Sequence, residues 1–133
     1  MDIRVAERAY AEARRLGASS KVMLALFEAG YVESNFENLP WGDRDSVGFL
    51  QQRPSSGWGT VAQCMNVEHA TMMFVTRAQR IESRYSSAGA LAQGVQVSAF
   101  PSRYNQREAA ALALIARVRT PSGSWPFMEL AGV

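Results

Sequence analysis

Apolar positions along the chain fall into helical stretches interrupted by one aromatic, turn-rich segment. Val5, Ala9 and Leu16, with alanines between them, recur at helical spacing, and Gly17 ends that run. Ser19 or Ser20 can cap a second helix, so residues 19–34 are expected to form one. Val22, Leu24, Ala25, Leu26, Phe27 and Val32 make it apolar nearly all round, the pattern of a central buried helix. Gly30 inside it costs about 1 kcal/mol relative to Ala, which suggests a close backbone approach. Helical texture returns from Val67 to about Tyr85, from Ala88 to Phe100 and from Asn105 to Val118. Ala109, Leu112, Ala113 and Ala116 are expected on one side of that last, alanine-rich helix. The expected fold is mainly α, with about five to six helices around the central one. The tail, residues 120–133, is expected to pack through Trp125 and Phe127.

Residues 35–60 read differently. Asn, Asp, Pro and Gly punctuate them, while Phe36, Trp41, Phe49 and Trp58 are interleaved. A flexible linker does not carry four large aromatics. The segment is therefore expected to be a long ordered loop or a small irregular hairpin, and loops that spend apolar surface on their own shape are often functional.

Composition narrows the classes. At 133 residues and 47% hydrophobic, the chain suits one domain with one core. No apolar run is long enough to span a bilayer, so no membrane insertion is expected. The start lacks the apolar region and cleavage site of a secretory signal, so an extracellular role is expected to need another export route, a fusion partner or delivery in a particle. Cys64 is the single cysteine and His69 the single histidine, so neither a disulfide nor a metal centre is expected. Lys21 is the only lysine among 14 Lys and Arg residues, and the net charge is +2. Arg4, Arg8 and Arg15 form one possible basic stripe, and Arg77, Arg80 and Arg84 another. Glu7, Glu12 and Glu82 are mixed in, and no nucleic-acid reading motif is present, so nucleic acid is not an expected partner.

One carboxylate stands out. Glu33 lies at the end of the apolar helix, directly before the aromatic loop. Apolar surroundings disfavour the ionised carboxylate and raise its pKa, as a general acid for glycosidic cleavage requires. A solvated or amide-bonded helix-end residue is the plainer alternative. Glu28 lies five positions earlier, about 140° around the helix, so the two are not a ready-made pair. Asp43 and Asp45 on the loop either hold a water or stabilise positive charge, or else cap amides and pair with Arg44 or Arg53. Gln51 and Gln52 can hydrogen-bond acetamido and hydroxyl groups, Trp41 and Trp58 can stack on sugars or fasten the loop, and Tyr104 offers a hydroxyl.

Glu33-Ser34, then Ser46-Val47-Gly48-Phe49-Leu50-Gln51, resembles the Glu-Ser, loop, Gly-Leu-Met-Gln pattern of lytic transglycosylases of the goose-type lysozyme superfamily. Gly42-Asp43-Arg44-Asp45-Ser46, Gln51-Gln52-Arg53-Pro54-Ser55-Ser56-Gly57-Trp58-Gly59 and Val95–Tyr104 are similar to an actinobacterial and actinobacteriophage lysozyme-like group. The likeness covers most of residues 20–118. It implies a lysozyme-like fold with Glu33 as catalytic acid, Ser34 beside it, and Gly48 and Gln51 in a loop forming the floor and wall of a glycan cleft. Phe49 and Leu50 depart from the pattern, and only Tyr104-Asn105 matches the late Ala-Tyr-Asn-Ala-Gly run whose tyrosine assists at the cleft.

The resemblance implies a peptidoglycan muramidase that cuts the β-1,4 bond after N-acetylmuramic acid, chiefly as a lytic transglycosylase giving 1,6-anhydro ends. The expected substrate-binding residues are Ser34, Gly48, Gln51, Gln52 and Tyr104. A hydrolytic lysozyme would draw on Asp43 or Asp45 as second carboxylate. A non-catalytic glycan-binding or phage-tail module is the other alternative. No cofactor is expected, the isolated domain is expected to be monomeric, and the expected locations are a phage virion or the cell wall.

Overall fold

A computed structural model describes residues 1–98 and 102–119. The expected tail, residues 120–133, lies outside the described residues, as does the end of the stretch expected to run to Phe100. Among the described residues seven α-helices follow one another: α1 (Ile3–Arg15), α2 (Ser20–Ser34), α3 (Val61–Cys64), α4 (Val67–Ile81), α5 (Ala88–Gln96), α6 (Ser102–Asn105) and α7 (Glu108–Val118). The protein is mainly α-helical. α2 packs against α1, α4, α5, α6 and α7, so it is the central helix. Val22, Met23, Ala25, Leu26, Phe27 and Ala29 all bury on it, which is what its all-round apolar sequence requires. Ser19 caps its start by accepting from the Val22 amide.

Three boundaries differ from the sequence expectation. α4 stops at Ile81 and tightens into a 3₁₀ turn at Glu82–Arg84, because the Lys21 ammonium donates to the backbone carbonyls of Glu82 and Tyr85 at 2.9 and 2.7 Å. α5 ends at Gln96, where Val97 turns into the left-handed region (φ 53°). The stretch expected from Asn105 begins as a helix only at Glu108, after the separate turn of α6. α7 also buries a different face. Ala111, Leu114 and Val118 point inward, while Ala109, Leu112, Ala113 and Ala116 are exposed. An alanine-rich helix has little polar contrast, so two faces fit the same spacing and the neighbours decide.

The end of α2 sets the position of the loop. Asn35 and Phe36 both adopt left-handed backbone (φ 54° and 56°), and the Phe36 amide returns to the Gly30 carbonyl at 3.0 Å. Phe36 carries its ring back under the helix, against Phe27, Tyr31 and Phe49. A Cβ on Gly30 would stand 2.5 Å from that ring, so the close approach at Gly30 is by an aromatic side chain. Phe36 and Phe49 are fully buried and Trp58 partly so, whereas Trp41 is 66% exposed. Two of the four loop aromatics thus nail the segment into the core. Its only regular pairing among the described residues is the bridge Val47–Gln52, followed by a 3₁₀ turn at Pro54–Ser56.

Candidate functional site

Glu33 sits in the last turn of α2, where the chain leaves the core for the loop. Two neutral donors converge on one of its oxygens. The Tyr104 hydroxyl donates to Oε2 at 2.7 Å, and the Gln96 amide donates to the same atom at 3.2 Å. Tyr104 reaches it from α6 and Gln96 from the last residue of α5. The Gln96 amide nitrogen also donates to the Leu50 carbonyl at 3.0 Å, and two acceptors around one nitrogen fix which way the amide faces. Tyr104 itself is fully buried.

Burial pushes the Glu33 carboxyl above its ordinary range; the hydrogen bonds from Tyr104 and Gln96 and the charge of Arg103 pull the other way. Burial and the neighbouring carboxylate drive the Tyr104 hydroxyl far up, so it stays protonated and remains a donor. Both donors take Oε2, which leaves Oε1 to carry the proton of the acid form.

Glu33 lines a groove of about 500 Å³, a size ordinary for small-ligand clefts. Asp43, Gln51, Gln52, Trp58, Arg77 and Gln96 share its walls. Two non-glycine residues on this wall, Gln51 and Val97, have left-handed backbone (φ 51° and 53°). Such strain in β-branched or bulky residues persists only where the surroundings impose it. A larger cavity, about 710 Å³, opens elsewhere and is lined by Glu28, Glu108 and Lys21. Its volume is greater, but among the described residues no donor pair converges on a carboxylate there, and Glu28 Oε1 is buried with no hydrogen-bond partner. We take the smaller groove as the candidate site because its chemistry is assembled.

The other residues singled out from the sequence separate into wall and framework. Gln51 lines the groove while its amide nitrogen donates to the carbonyls of Trp41 and Gly48, leaving its oxygen as an acceptor. Gln52 is nearly buried and donates to the Ala70 carbonyl, tying the loop to α4. Ser34 does not line the groove: its hydroxyl donates to the Phe49 carbonyl at 2.7 Å and accepts from the Glu37 amide. Gly48 is framework as well. Its φ is 87°, and a Cβ there would collide with the Cys64 carbonyl oxygen, so the position is closed to any side chain.

The two aspartates part company. Arg53 binds Asp45 at 2.7 Å and the Ser55 amide binds its other oxygen at 2.8 Å, which holds the Asp45 carboxyl well below the usual range. Asp45 is outside the groove wall, whereas Asp43 lies on it with its side chain open to solvent. The sequence places Arg77 only in a possible basic stripe and gives Gln96 no role of its own. Gln96 stands inside the segment that carries the resemblance, but one amide among many gives no signal until the fold brings it to Glu33. Among the described residues, no group of three or more His, Cys, Asp or Glu side chains could hold a metal ion. The chain matches no known family model, and no curated protein matches it.

Proposed function

We propose that the protein is a peptidoglycan muramidase with Glu33 as its general acid and base. One observation carries this reading: a half-buried carboxyl on a groove wall, raised in pKa by burial, with Tyr104 and Gln96 both donating to one oxygen. Glu33 gives the proton on Oε1 to the glycosidic oxygen, and the bond from that oxygen to the anomeric carbon of N-acetylmuramic acid breaks. Positive charge develops on the sugar as the Glu33 carboxylate forms. Tyr104 and Gln96 stabilise that carboxylate, because hydrogen bonds to charged groups are stronger than those to neutral ones. The 6-hydroxyl of the same sugar then attacks the anomeric carbon and returns its proton to Glu33. The product carries a 1,6-anhydro end, and the enzyme is restored.

A lytic transglycosylase of this kind needs no second carboxylate, and the bound state of Asp45 suits that route. The hydrolytic alternative is favoured by a single observation, the presence of Asp43 on the same groove wall, and it would use Asp43 to activate water. The lysozyme-like topology and the actinobacteriophage or cell-wall setting belong to this proposal too, through the resemblance at residues 33–59.

The test is digestion of purified peptidoglycan by the parent protein and by Glu33→Gln. Soluble muropeptides from the parent alone are expected, each ending in a 1,6-anhydro sugar and so one water lighter than the product of a hydrolase. Fragments of hydrolytic mass would replace the transglycosylase by the lysozyme reading. Binding to peptidoglycan with no release by either protein would leave a non-catalytic module and overturn the enzyme.

A further inference from the structure

Two arginines line the groove, and they are in opposite states. The Arg53 guanidinium is occupied by Asp45 and by the Ser55 hydroxyl. Arg77 sits over the Trp58 ring, the central carbon of its guanidinium 3.6 Å from the ring centroid. No carboxylate pairs with Arg77 among the described residues. Arg4, Arg8 and Arg15, by contrast, each hold an Asp or Glu.

Stacking constrains what Arg77 can do. A guanidinium directs its five N–H donors outward in its own plane, so an aromatic ring on one face leaves all of them available at the edge. The cation–π contact also fixes the orientation of that plane before any ligand arrives. Arg77 is partly buried on α4, and burial together with neighbouring Arg80 disfavours its charge. A cation in that situation gains from an anion, and the planar fork matches a carboxylate in two parallel hydrogen bonds. The Trp58 ring beside it offers the apolar face on which a sugar can rest.

We propose that Arg77, held by Trp58, forms a carboxylate-binding subsite in the Glu33 groove and selects glycan segments that bear an acidic group. The inference rests on the glycan-cleaving reading of that groove. Peptidoglycan offers the chemistry from two sources: the free lactyl carboxylate of an unsubstituted muramic acid, and the carboxylates of an attached peptide. A neutral chitin-type glycan offers neither.

The experiment is calorimetric titration of the Glu33→Gln protein, which preserves the groove without turnover. The probes are the N-acetylglucosaminyl-N-acetylmuramic acid disaccharide, its lactyl methyl ester, and the same disaccharide carrying a peptide. The free acid or the peptide-bearing probe is expected to bind at least about tenfold more tightly than the ester, equivalent to about 1.4 kcal/mol. The tighter of the two identifies the source. Adding Arg77→Gln should abolish the preference, and adding Arg77→Lys should retain part of it, because charge remains without the fork. Melting curves confirm that both variants fold.

Equal binding of acid, peptide-bearing probe and ester, or a preference that survives Arg77→Gln, overturns the subsite alone. Failure of every probe to bind overturns the subsite, and digestion of whole peptidoglycan by the parent then decides whether the glycan reading falls with it.

Discussion

Glu28 and Glu33 stand on the same helix, and both carboxyls are raised in pKa by burial, yet their surroundings are opposite. Glu28 is 1% exposed, has an unpartnered oxygen, and meets the charge of Glu108; its pKa is pushed up to about 7. Glu33 receives two hydrogen bonds from neutral donors on α5 and α6. The contrast teaches that a shifted pKa does not by itself mark a working acid. Glu28 is disfavoured as a carboxylate, and among the described residues no hydrogen bond reaches its buried Oε1. Glu33 is disfavoured by burial and supported by donors, so it can both release a proton and hold the resulting charge. That two-way capacity is what a group serving as acid and then base needs.

Two substitutions test the contrast. The largest effect is expected from Glu33→Gln, which should lower muropeptide release by about 10²- to 10⁴-fold, the usual worth of a positioned acid. The matching change five residues earlier on the same helix, Glu28→Gln, should leave release within about threefold of the parent. A comparable loss in both would dissolve the distinction between them.

Glu28→Gln should act on stability instead. The folded pKa of about 7 exceeds the ordinary 4.5, so the native state holds the proton more tightly than the unfolded chain. Stability therefore falls as pH rises from 4.5 towards 7, and the full cost, on the order of 3 kcal/mol, applies above that window. The neutral amide escapes it. Denaturant titrations should show Glu28→Gln more stable than the parent at about pH 8, with the difference shrinking towards zero at about pH 4. A constant difference across that range would mean that Glu28 does not titrate there.

The smallest effect separates the two aspartates. Asp45→Asn removes a paired charge that holds the loop and should lower stability slightly, read as a small drop in the denaturant midpoint. Asp43→Asn should leave stability within about 0.5 kcal/mol, because its side chain is open to solvent. It should also leave muropeptide release near the parent level if the 6-hydroxyl is the nucleophile. A large loss of release in Asp43→Asn would favour attack by water.

The sequence makes some of this legible and hides the rest for physical reasons. The apolar run at residues 22–32 announces the central helix, and the buried Phe36 and Phe49 explain why an aromatic loop is ordered. Glu33 is visible as a carboxylate at the end of such a run, although a solvated helix-end residue is the plainer reading of that position until the resemblance is added. The donors are not visible in that way. Gln96 is 63 residues away from Glu33 and Tyr104 is 71 away, so their convergence depends on how α5 and α6 pack on α2. The buried face of α7 is hidden because its alanines give no polarity contrast, and the tertiary neighbours of Ala111 and Leu114 decide it. Lys21 ended α4 early through bonds to carbonyls more than sixty residues distant, a contact no local pattern encodes.

The pH dependence of muropeptide release by the parent and by Tyr104→Phe tests the central claim most directly. Activity needs protonated Glu33, so it should fall as pH rises through the Glu33 pKa, at a point above the ordinary carboxylate value of 4.5. Tyr104→Phe removes a bond that lowers that pKa, so the falling limb should move to higher pH. The plateau should drop by about 10- to 100-fold, because the Glu33 carboxylate loses a hydrogen bond worth about 1.5–3 kcal/mol. A limb that stays in place with an unchanged plateau would contradict the account, since Glu33 and Tyr104 would then not act together in the reaction.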